Sequence, residues 1–278
     1  MFSGGLFSGS AAISPLILTQ ARTTFTLLVL LPLLLIRFGP SFFRISMRDL
    51  VLCLLVGTLG LAGSNFFYYL AIQKSTVAIA ITLQYTAPIW VLLVMVLRRR
   101  EAASALRFFA VFLAMLGCAL TIDLFHSGIQ LNAIGVIAAM VASFSFAFYN
   151  IVAQALVTRN HQFKVMAYAI LGAALLWAVV DPPWRLAAQG YTAPQWGFLF
   201  AFACLSMLLP YFFYFTGLKY LDPTGAVIAS CLEPVFAIMF AAVFVHERLR
   251  WSQDIGVAAV LVVSIMVQLH RSRPTFPE

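Results

Sequence analysis

Long apolar runs alternate with short polar gaps along almost the whole chain. At about 1.5 Å of helical rise per residue, nine of these runs are long enough to match, or come close to, the roughly 30 Å hydrocarbon core of a bilayer. They cover residues 14–36, 49–72, 76–97, 106–124, 132–157, 165–180, 193–218, 224–245 and 251–269. The pattern predicts an all-α membrane protein with about nine full transmembrane spans.

Composition excludes an ordinary soluble domain. Hydrophobic residues make up 63% of the chain and charged residues 9%, whereas soluble domains carry about 25% charged residues. The net charge of +8 does not indicate a nucleic-acid-binding protein, because the basic residues are spread over the gaps between apolar runs. The four cysteines lie inside apolar runs without CxxC spacing, so we expect small buried side chains, no metal site and no cofactor.

A shift of 146 residues aligns the chain weakly with itself. Residues 66–116 fall on residues 212–262 without a gap, and Pro88 then coincides with Pro234. Interrupted spans at matching positions of two halves indicate the binding site of a transporter. We therefore expect the two prolines to be matched hinges. Glu101 and Glu247 coincide as well, and each is expected to cap a helix or to pair with a nearby arginine.

The same shift predicts two repeats, one over residues 1–125 and one over residues 126–278. Residues 132–157 have no full counterpart in the first half. We expect a design of five plus five spans in which the first helix is largely missing from this chain, and a true nine-span protein is the alternative. An odd number of spans per half makes the two repeats inverted.

One acidic residue falls near the middle of a predicted span. Glu233 is the only formal charge in residues 224–245, and Pro234 follows it directly. Proline removes a backbone donor and clashes one turn back, so the helix should kink beside the acid. Carboxylates at this depth are costly and usually functional. Two roles stay open for Glu233: a proton relay or contact for a substrate amine, and a structural carboxylate held by hydrogen bonds near the kink.

Other polar and aromatic residues of the spans are candidates for substrate binding or coupling. Arg22 lies within the first span at a depth from which it can reach Glu233; such a pair is more often structural than substrate-binding. Asn65 and Gln84 are expected to make hydrogen bonds between helices. The aromatic candidates for the wall of a cavity are Tyr68, Tyr85, Phe148, Tyr149, Trp177, Tyr211 and Tyr214.

Basic residues predict the orientation in the membrane. With the C-terminus and every second gap on the inner side, that side collects twelve Lys and Arg residues, and the outer side collects four. Cytoplasmic loops carry such an excess of positive charge. We therefore expect a multi-pass protein with a cytoplasmic C-terminus.

Three segments carry a family resemblance: LEPVFAIMFAAVFVHERL at residues 232–249, TAPIWVLLVMVLRRRE at 86–101 and LILTQARTTFTLLVLLPLLL at 16–35. With these segments the chain resembles the drug/metabolite transporter superfamily, in its EamA-type ten-helix branch. The resemblance implies inverted five-helix repeats around a central cavity, a bacterial inner membrane and export of small metabolites such as amino acids. The first repeat has Ala87 where the second has Glu233, so acid chemistry is expected in one repeat only.

These features favour a secondary transporter that exports small organic metabolites, amino acids or related amphipathic solutes, by alternating access. Its expected partners are a small-molecule substrate and the lipid bilayer, with protons as a candidate coupling ion. An intramembrane enzyme needs a nucleophile–base pair or a metal cluster at one depth, and the sequence has no HExxH or GxSxG motif. A channel needs rings of like charge or a carbonyl filter loop, for which the sequence gives no signal. We expect no enzymatic activity.

Overall fold

The computed structural model describes residues 15–101, 104–124, 132–244 and 250–269. The segment 1–13, on which the prediction of a shortened first helix depends, and residues 245–249 of the signature segment lie outside the described residues. Within the described ranges every regular element is a helix, which confirms the all-α prediction.

The helices are α1 (Pro15–Phe38), α2 (Met47–Leu55), α3 (Gly63–Lys74), α4 (Val77–Gln84), α5 (Ala87–Leu97), α6 (Ala105–Thr121), α7 (Ala133–Val157), α8 (Gln162–Val180), α9 (Pro183–Ala187), α10 (Ala193–Ala203), α11 (Leu209–Leu218), α12 (Pro223–Ser230), α13 (Leu232–Phe244) and α14 (Trp251–Leu269). A short 3₁₀-helix, Pro40–Phe43, follows α1. Two π-helical segments join helices within a span: the first π segment (Val56–Ala62) joins α2 to α3, and the second (Cys204–Leu208) joins α10 to α11.

All nine predicted spans coincide with helical stretches. Among the described residues, seven stretches are long and apolar enough to cross a membrane: Leu16–Phe38, Met47–Lys74, Ala78–Leu97, Ala133–Val157, Gln162–Val180, Ala193–Leu218 and Pro223–Phe240. Two shorter apolar helices, Ala105–Thr121 and Trp251–Val267, fall on the remaining two predicted spans. The chain is therefore a multi-pass membrane protein.

Side-chain caps fix the starts of several helices. Ser46 accepts a hydrogen bond from the backbone N–H of Asp49 at the start of α2 (3.2 Å). At the start of α4, Thr76 accepts from the backbone N–H of Ile79 (3.2 Å). At the start of α6, Ser104 accepts from that of Arg107 (3.2 Å). Each cap satisfies one of the N–H groups that the first turn of a helix leaves without an intrahelical partner. These capping residues therefore mark where the polar gaps end and the helices begin.

The described residues up to Phe66 and Ile151–Tyr220 form one compact unit, called unit 1 here. In unit 1 the first π segment packs on α8 with almost no space between the backbones. A Cβ atom added to Gly57 would collide with the carbonyl of Ala169, and one added to Gly172 would lie 2.5 Å from the carbonyl oxygen of Leu54. Gly57 and Gly172 therefore allow the close helix packing of this contact.

The described residues of Phe67–Asn150 and of the chain from Leu221 onward form the second compact unit, unit 2. In unit 2 helices α6 and α14 cross closely. A Cβ atom on Gly117 would lie 2.7 Å from Cγ2 of Val260, and one on Gly256 would lie 2.5 Å from the backbone nitrogen of Thr121. Around this crossing lies a buried core of Tyr85, Leu92, Ala110, Val111, Ala114, Cys118, Ile228, Cys231, Val235, Val260 and Val263.

The compact units divide the chain differently from the predicted repeats. Each unit contains segments from before and after residue 125, so each is built from helices of both sequence halves. The repeat boundaries themselves, 1–125 and 126–278, stay a prediction. In an inverted-repeat architecture the two halves supply equivalent elements, and the irregular segments are such elements here.

Interruptions of the helices recur at matching positions of the two halves. Under the 146-residue shift the first π segment overlaps the second, and the break between α4 and α5 overlaps the break between α12 and α13. Pro88 and Pro234 each lie in the first turn of the helix that follows a break. Because proline has no N–H and clashes with the carbonyl four residues earlier, each span is interrupted just before its proline. The predicted breaks are confirmed.

Candidate transport site

A hydrogen bond links the two broken helices inside unit 2. The hydroxyl of Tyr85 donates to Oε2 of Glu233 over 3.1 Å. Tyr85 lies in the break between α4 and α5, and Glu233 is the second residue of α13. Tyr85 is buried, with 8% of its surface exposed, whereas Glu233 is exposed. The carboxylate is thus held at one oxygen and accessible at the same time.

The position of Glu233 in the first turn of α13 matters electrostatically. A helix N-terminus carries the positive end of the macrodipole, which favours a negative side chain. The equivalent position of α5 is Ala87, which is buried. The broken helix of the second half therefore carries an acid where that of the first half carries a methyl group, as the sequence comparison predicts.

Other predicted residues of unit 2 lie on α3, α4 and α7. The hydroxyl of Tyr68 lies within electrostatic range of the Glu233 carboxylate, and Gln84 is the last residue of α4, half-buried. Thr86, in the break itself, shares a 2.8 Å hydrogen bond with Ser143 of α7. Tyr149, also on α7, is buried with its ring stacked on Phe146, the centroids 6.0 Å apart.

Unit 1 contains a separate small cavity. Its volume of about 10 Å³ is roughly the space of one water molecule. The lining residues are Thr19, Arg22, Thr23, Leu61, Ala62, Asn65, Ala173, Trp177, Met207 and Tyr211. Four residues selected from the sequence, Arg22, Asn65, Trp177 and Tyr211, are thus brought together from four different helices. Tyr214, on α11, is half-buried and is not among the lining residues.

Arg22 contacts the part of unit 1 that residues Ile151–Tyr220 form. Its Nη2 donates to the carbonyl oxygen of Ser206 over 2.8 Å, and its guanidinium lies over the ring of Phe202, 5.6 Å from the centroid. Ser206 belongs to the second π segment. Arg22 and Glu233 belong to different units, and the predicted pair between them stays a prediction.

Asn65 makes a hydrogen bond other than the predicted one, whereas Trp177 lines a cavity as predicted. The Nδ2 of Asn65 donates to the carbonyl oxygen of Leu61 in its own span (2.7 Å). The expected hydrogen bond between helices is therefore wrong for this group, because the carbonyl four residues back in the same span accepts its N–H. Trp177 is 1% exposed, its ring centroid is 6.3 Å from that of Phe66, and its Nε1 has no hydrogen-bond partner among the described residues.

The cavity lining is related by the internal repeat. Leu61 and Met207 coincide under the 146-residue shift, and so do Asn65 and Tyr211; all four line the cavity. The threonines Thr19 and Thr23 were not selected from the sequence. Thr19 and Thr23 lie one helical turn apart on α1, and Arg22 is three residues after Thr19, so all lie on one face. That spacing around Arg22 was the signal for them.

An ionic cluster closes the loop after α5. Glu101 contacts Arg107, which also lies 3.7 Å from Asp222, and Oε1 of Glu101 accepts from the backbone N–H of Thr224 (3.5 Å). Burial, followed by the negative charge of Asp222, raises the pKa of Glu101 above its ordinary value, against the opposing effect of Arg107. The predicted pairing of Glu101 with an arginine is confirmed, and the cluster ties the start of α6 to the start of α12.

Metal binding finds no support in the side chains described. Within residues 15–101, 104–124, 132–244 and 250–269, no group of three or more His, Cys, Asp or Glu side chains is placed to hold an ion. Cys53, Cys118 and Cys231 are buried, and Cys204 is partly buried.

Comparison with known proteins places these features in context. The model of the EamA-like transporter family matches residues 4–123 and again residues 133–269. The threonine/homoserine exporter RhtA of Salmonella typhimurium (strain SL1344) is 25% identical over 210 residues, which cover 74% of this chain and 68% of RhtA. The uncharacterized transporter YwfM of Bacillus subtilis (strain 168) is 27% identical over 163 residues, covering 57% of this chain and 53% of YwfM.

A solved crystal structure has the same fold. It superposes with a TM-score of 0.77 at 18% sequence identity, over 96% of this chain and 91% of that chain. At this identity the likeness concerns the fold alone. The double family match agrees with two repeated halves built on one plan.

Proposed function

Because the chain belongs to the EamA-like transporter family, we propose that it is a secondary transporter that exports small organic metabolites by alternating access. Amino acids or related amphipathic solutes are the proposed substrates, in line with the name of the Salmonella relative. The proposed location is the bacterial inner membrane with a cytoplasmic C-terminus, on the basis of the twelve-to-four bias of basic residues.

The observation that carries the proposal is the pair of matched broken helices joined by the Tyr85–Glu233 hydrogen bond (3.1 Å). Transporters form substrate and ion sites from discontinuous helices at equivalent positions of two repeats. Both breaks here lie beside a proline, Pro88 or Pro234. A break of this kind lets the two parts of a span change their mutual angle, which is the motion that alternating access requires.

Glu233 is the proposed coupling residue. It is accessible, it lies at a helix N-terminus, and one of its oxygens is already bonded to Tyr85. A carboxylate in this position can take up a proton on one side of the membrane and release it on the other, and Tyr85 orients it in the ionised state. The competing role is a strut between the two breaks, for which the same hydrogen bond would be sufficient.

Transport by the purified chain in liposomes tests the function. Vesicles are loaded with radiolabelled amino acids, and efflux is followed with and without an imposed pH gradient. Wild-type protein is expected to accelerate efflux and to respond to the gradient. Glu233→Gln is expected to insert and fold, to lose the response to the gradient and to keep exchange of solute across the membrane. Absence of catalysed movement of any organic solute contradicts the proposed function, and a normal pH response of Glu233→Gln contradicts the coupling role alone.

A further inference from the structure

One lining residue of the unit 1 cavity has a buried hydrogen-bond donor that no group of the described protein satisfies. Trp177 is 1% exposed, it lines the cavity, and its indole N–H has no partner. Leaving a buried donor unsatisfied costs about 1–3 kcal/mol, so native proteins rarely retain one unless water or a ligand completes it. A water molecule or a ligand atom from outside the chain can supply the missing acceptor.

The wall of the same cavity is positive. Arg22 is its only charged lining residue, and the other polar lining groups are those of Thr19, Thr23, Asn65, Trp177 and Tyr211. The two acidic residues of unit 1 are engaged elsewhere: Asp49 lies 3.5 Å from Arg159, and Asp181 lies 3.8 Å from Arg185. A cation close to an N–H donor, with hydroxyl and amide groups around them, forms a surface that suits an anionic oxygen.

The cavity is built where both halves of unit 1 are irregular. Leu61 and Ala62 come from the first π segment, and Met207 comes from the second. Single-turn π segments occur frequently at functional sites. Here two of them, at repeat-related positions, contribute lining residues to one cavity.

The cavity is too small for a solute in the conformation described. With space for about one water molecule, the cavity cannot admit a solute in this conformation. Met207 is the flexible member of the wall, because its unbranched side chain changes shape at low cost. An anionic group of a few atoms would require Met207 to change its side-chain conformation.

We propose that this cavity is the subsite for the carboxylate group of an amino-acid substrate, with the charge of Arg22 and the indole N–H of Trp177 as its two anchors. The inference rests on the proposed function, because it assumes that the chain transports such solutes. Asn65 and Tyr211, which are equivalent under the repeat, complete the polar wall. A single structural water bonded to Trp177 is the alternative occupant.

Binding to the purified full chain separates the two occupants. Thermal stabilisation and calorimetry are measured with the twenty L-amino acids, and each is paired with its own amide and methyl ester, which lack the carboxylate. Wild-type protein is expected to bind at least one amino acid and to bind the matching amide and ester more weakly, roughly tenfold or more, as the loss of a charge-assisted contact predicts. Equal affinity for acid, amide and ester overturns the proposal, and so does the absence of binding by every amino acid.

Trp177→Phe is the decisive variant, because it keeps the ring and removes the N–H. It is expected to weaken acid binding about tenfold and to leave amide binding unchanged. Arg22→Lys keeps the charge and loses the fork geometry, and it should also weaken acid binding. Trp184→Phe is the matched control, because Trp184 is 69% exposed and lies outside the cavity. Unchanged acid binding by Trp177→Phe supports the structural water and overturns the carboxylate subsite.

The outcomes also distinguish this site from the function on which it rests. If vesicles show catalysed efflux of amino acids and of their amides at equal rates and affinities, the transporter proposal stands and the carboxylate subsite is wrong. If acid binding depends on Trp177 but no solute moves across the membrane, the subsite stands and the transport function is wrong.

Discussion

The hydroxyl of Tyr85 and the carboxylate of Glu233 are hydrogen-bonded over 3.1 Å although 148 residues separate them in the chain. Each residue lies at the interruption of a different span, one from each half. The bond therefore connects two interruptions of regular helical hydrogen bonding. The first prediction concerns this bond.

Tyr85→Phe removes the hydroxyl and keeps the ring. Because Glu233 is exposed, we expect a modest loss of stability, about 1 kcal/mol, together with a changed pH profile of transport. Tyr168→Phe is the control, since it removes a comparable 2.7 Å hydrogen bond, to the carbonyl of Phe43 in unit 1, far along the chain from either break. Thermal unfolding in detergent and efflux from vesicles measure the two effects. Equal transport profiles for both variants would show that the Tyr85 bond is structural only.

Pro88→Ala and Pro234→Ala test the matched hinges. Each variant restores a backbone N–H, so the two short helices of a span can join into one. We expect the transport rate to drop more than substrate affinity does. Pro32→Ala is the control, because Pro32 lies inside the continuous helix α1 and has no proline at the related position of the other half. Normal rates for both hinge variants would contradict the hinge role.

The orientation is tested by labelling single cysteines in whole cells, in a variant that lacks the four native ones. A cysteine at Arg99, in the gap after α5, should be shielded from an impermeant thiol reagent. A cysteine in place of Trp184, which is 69% exposed, should react. The excess of basic residues on one side is the physical reason. The opposite labelling pattern would reverse the proposed topology.

Gly256→Ala tests the close crossing of α6 and α14. The added methyl group would lie 2.5 Å from the backbone nitrogen of Thr121, so we expect a loss of about 1–3 kcal/mol from overpacking. Gly197→Ala is the matched control, because nothing lies within 4 Å of its added Cβ atom and alanine favours the helix by about 1 kcal/mol. Thermal unfolding in detergent measures the effect: the melting temperature should be lower for Gly256→Ala than for the wild type, and it should not be lower for Gly197→Ala.

The raised pKa of Glu101 predicts a pH dependence of stability. Since the folded protein binds this proton more tightly than the unfolded chain, the free energy of unfolding should fall as pH rises from the ordinary value near 4.5 through the raised value. Glu101→Gln should flatten this slope, with other groups contributing equally in both proteins. Melting temperatures measured from pH 4.5 to pH 7 give the comparison, and identical slopes would contradict the assignment.

Much of the fold follows from sequence because a lipid environment admits few solutions. An apolar run of about twenty residues has to satisfy its backbone internally, and a helix is the simplest way to do so. The breaks at Pro88 and Pro234 were predictable for a similar reason, since proline removes a specific donor. A single sequence predicts the local structure of residues that are under such steric or solvation constraints.

The parts that sequence did not predict depend on rotation and on local insertion. Depth along the helix axis does not specify which way a side chain points, so the sequence did not indicate that Tyr85 contacts Glu233. No residue type marks an extra residue in a helical turn, so the two π segments were not predicted. Arg22 and Trp177 line one cavity because of the direction of their side chains and because of the π segments, and the sequence indicated neither feature.

The composition of the compact units constrains how the chain is made. Unit 1 needs residues as late as Tyr220, and unit 2 draws on residues on both sides of that segment. A ribosome that has synthesised only the first 150 residues has therefore supplied a fraction of the partners in either unit, and the early helices must wait in the lipid until later ones arrive. We therefore expect the units to assemble after insertion, and separately expressed halves to become stable only when they are produced in the same cell.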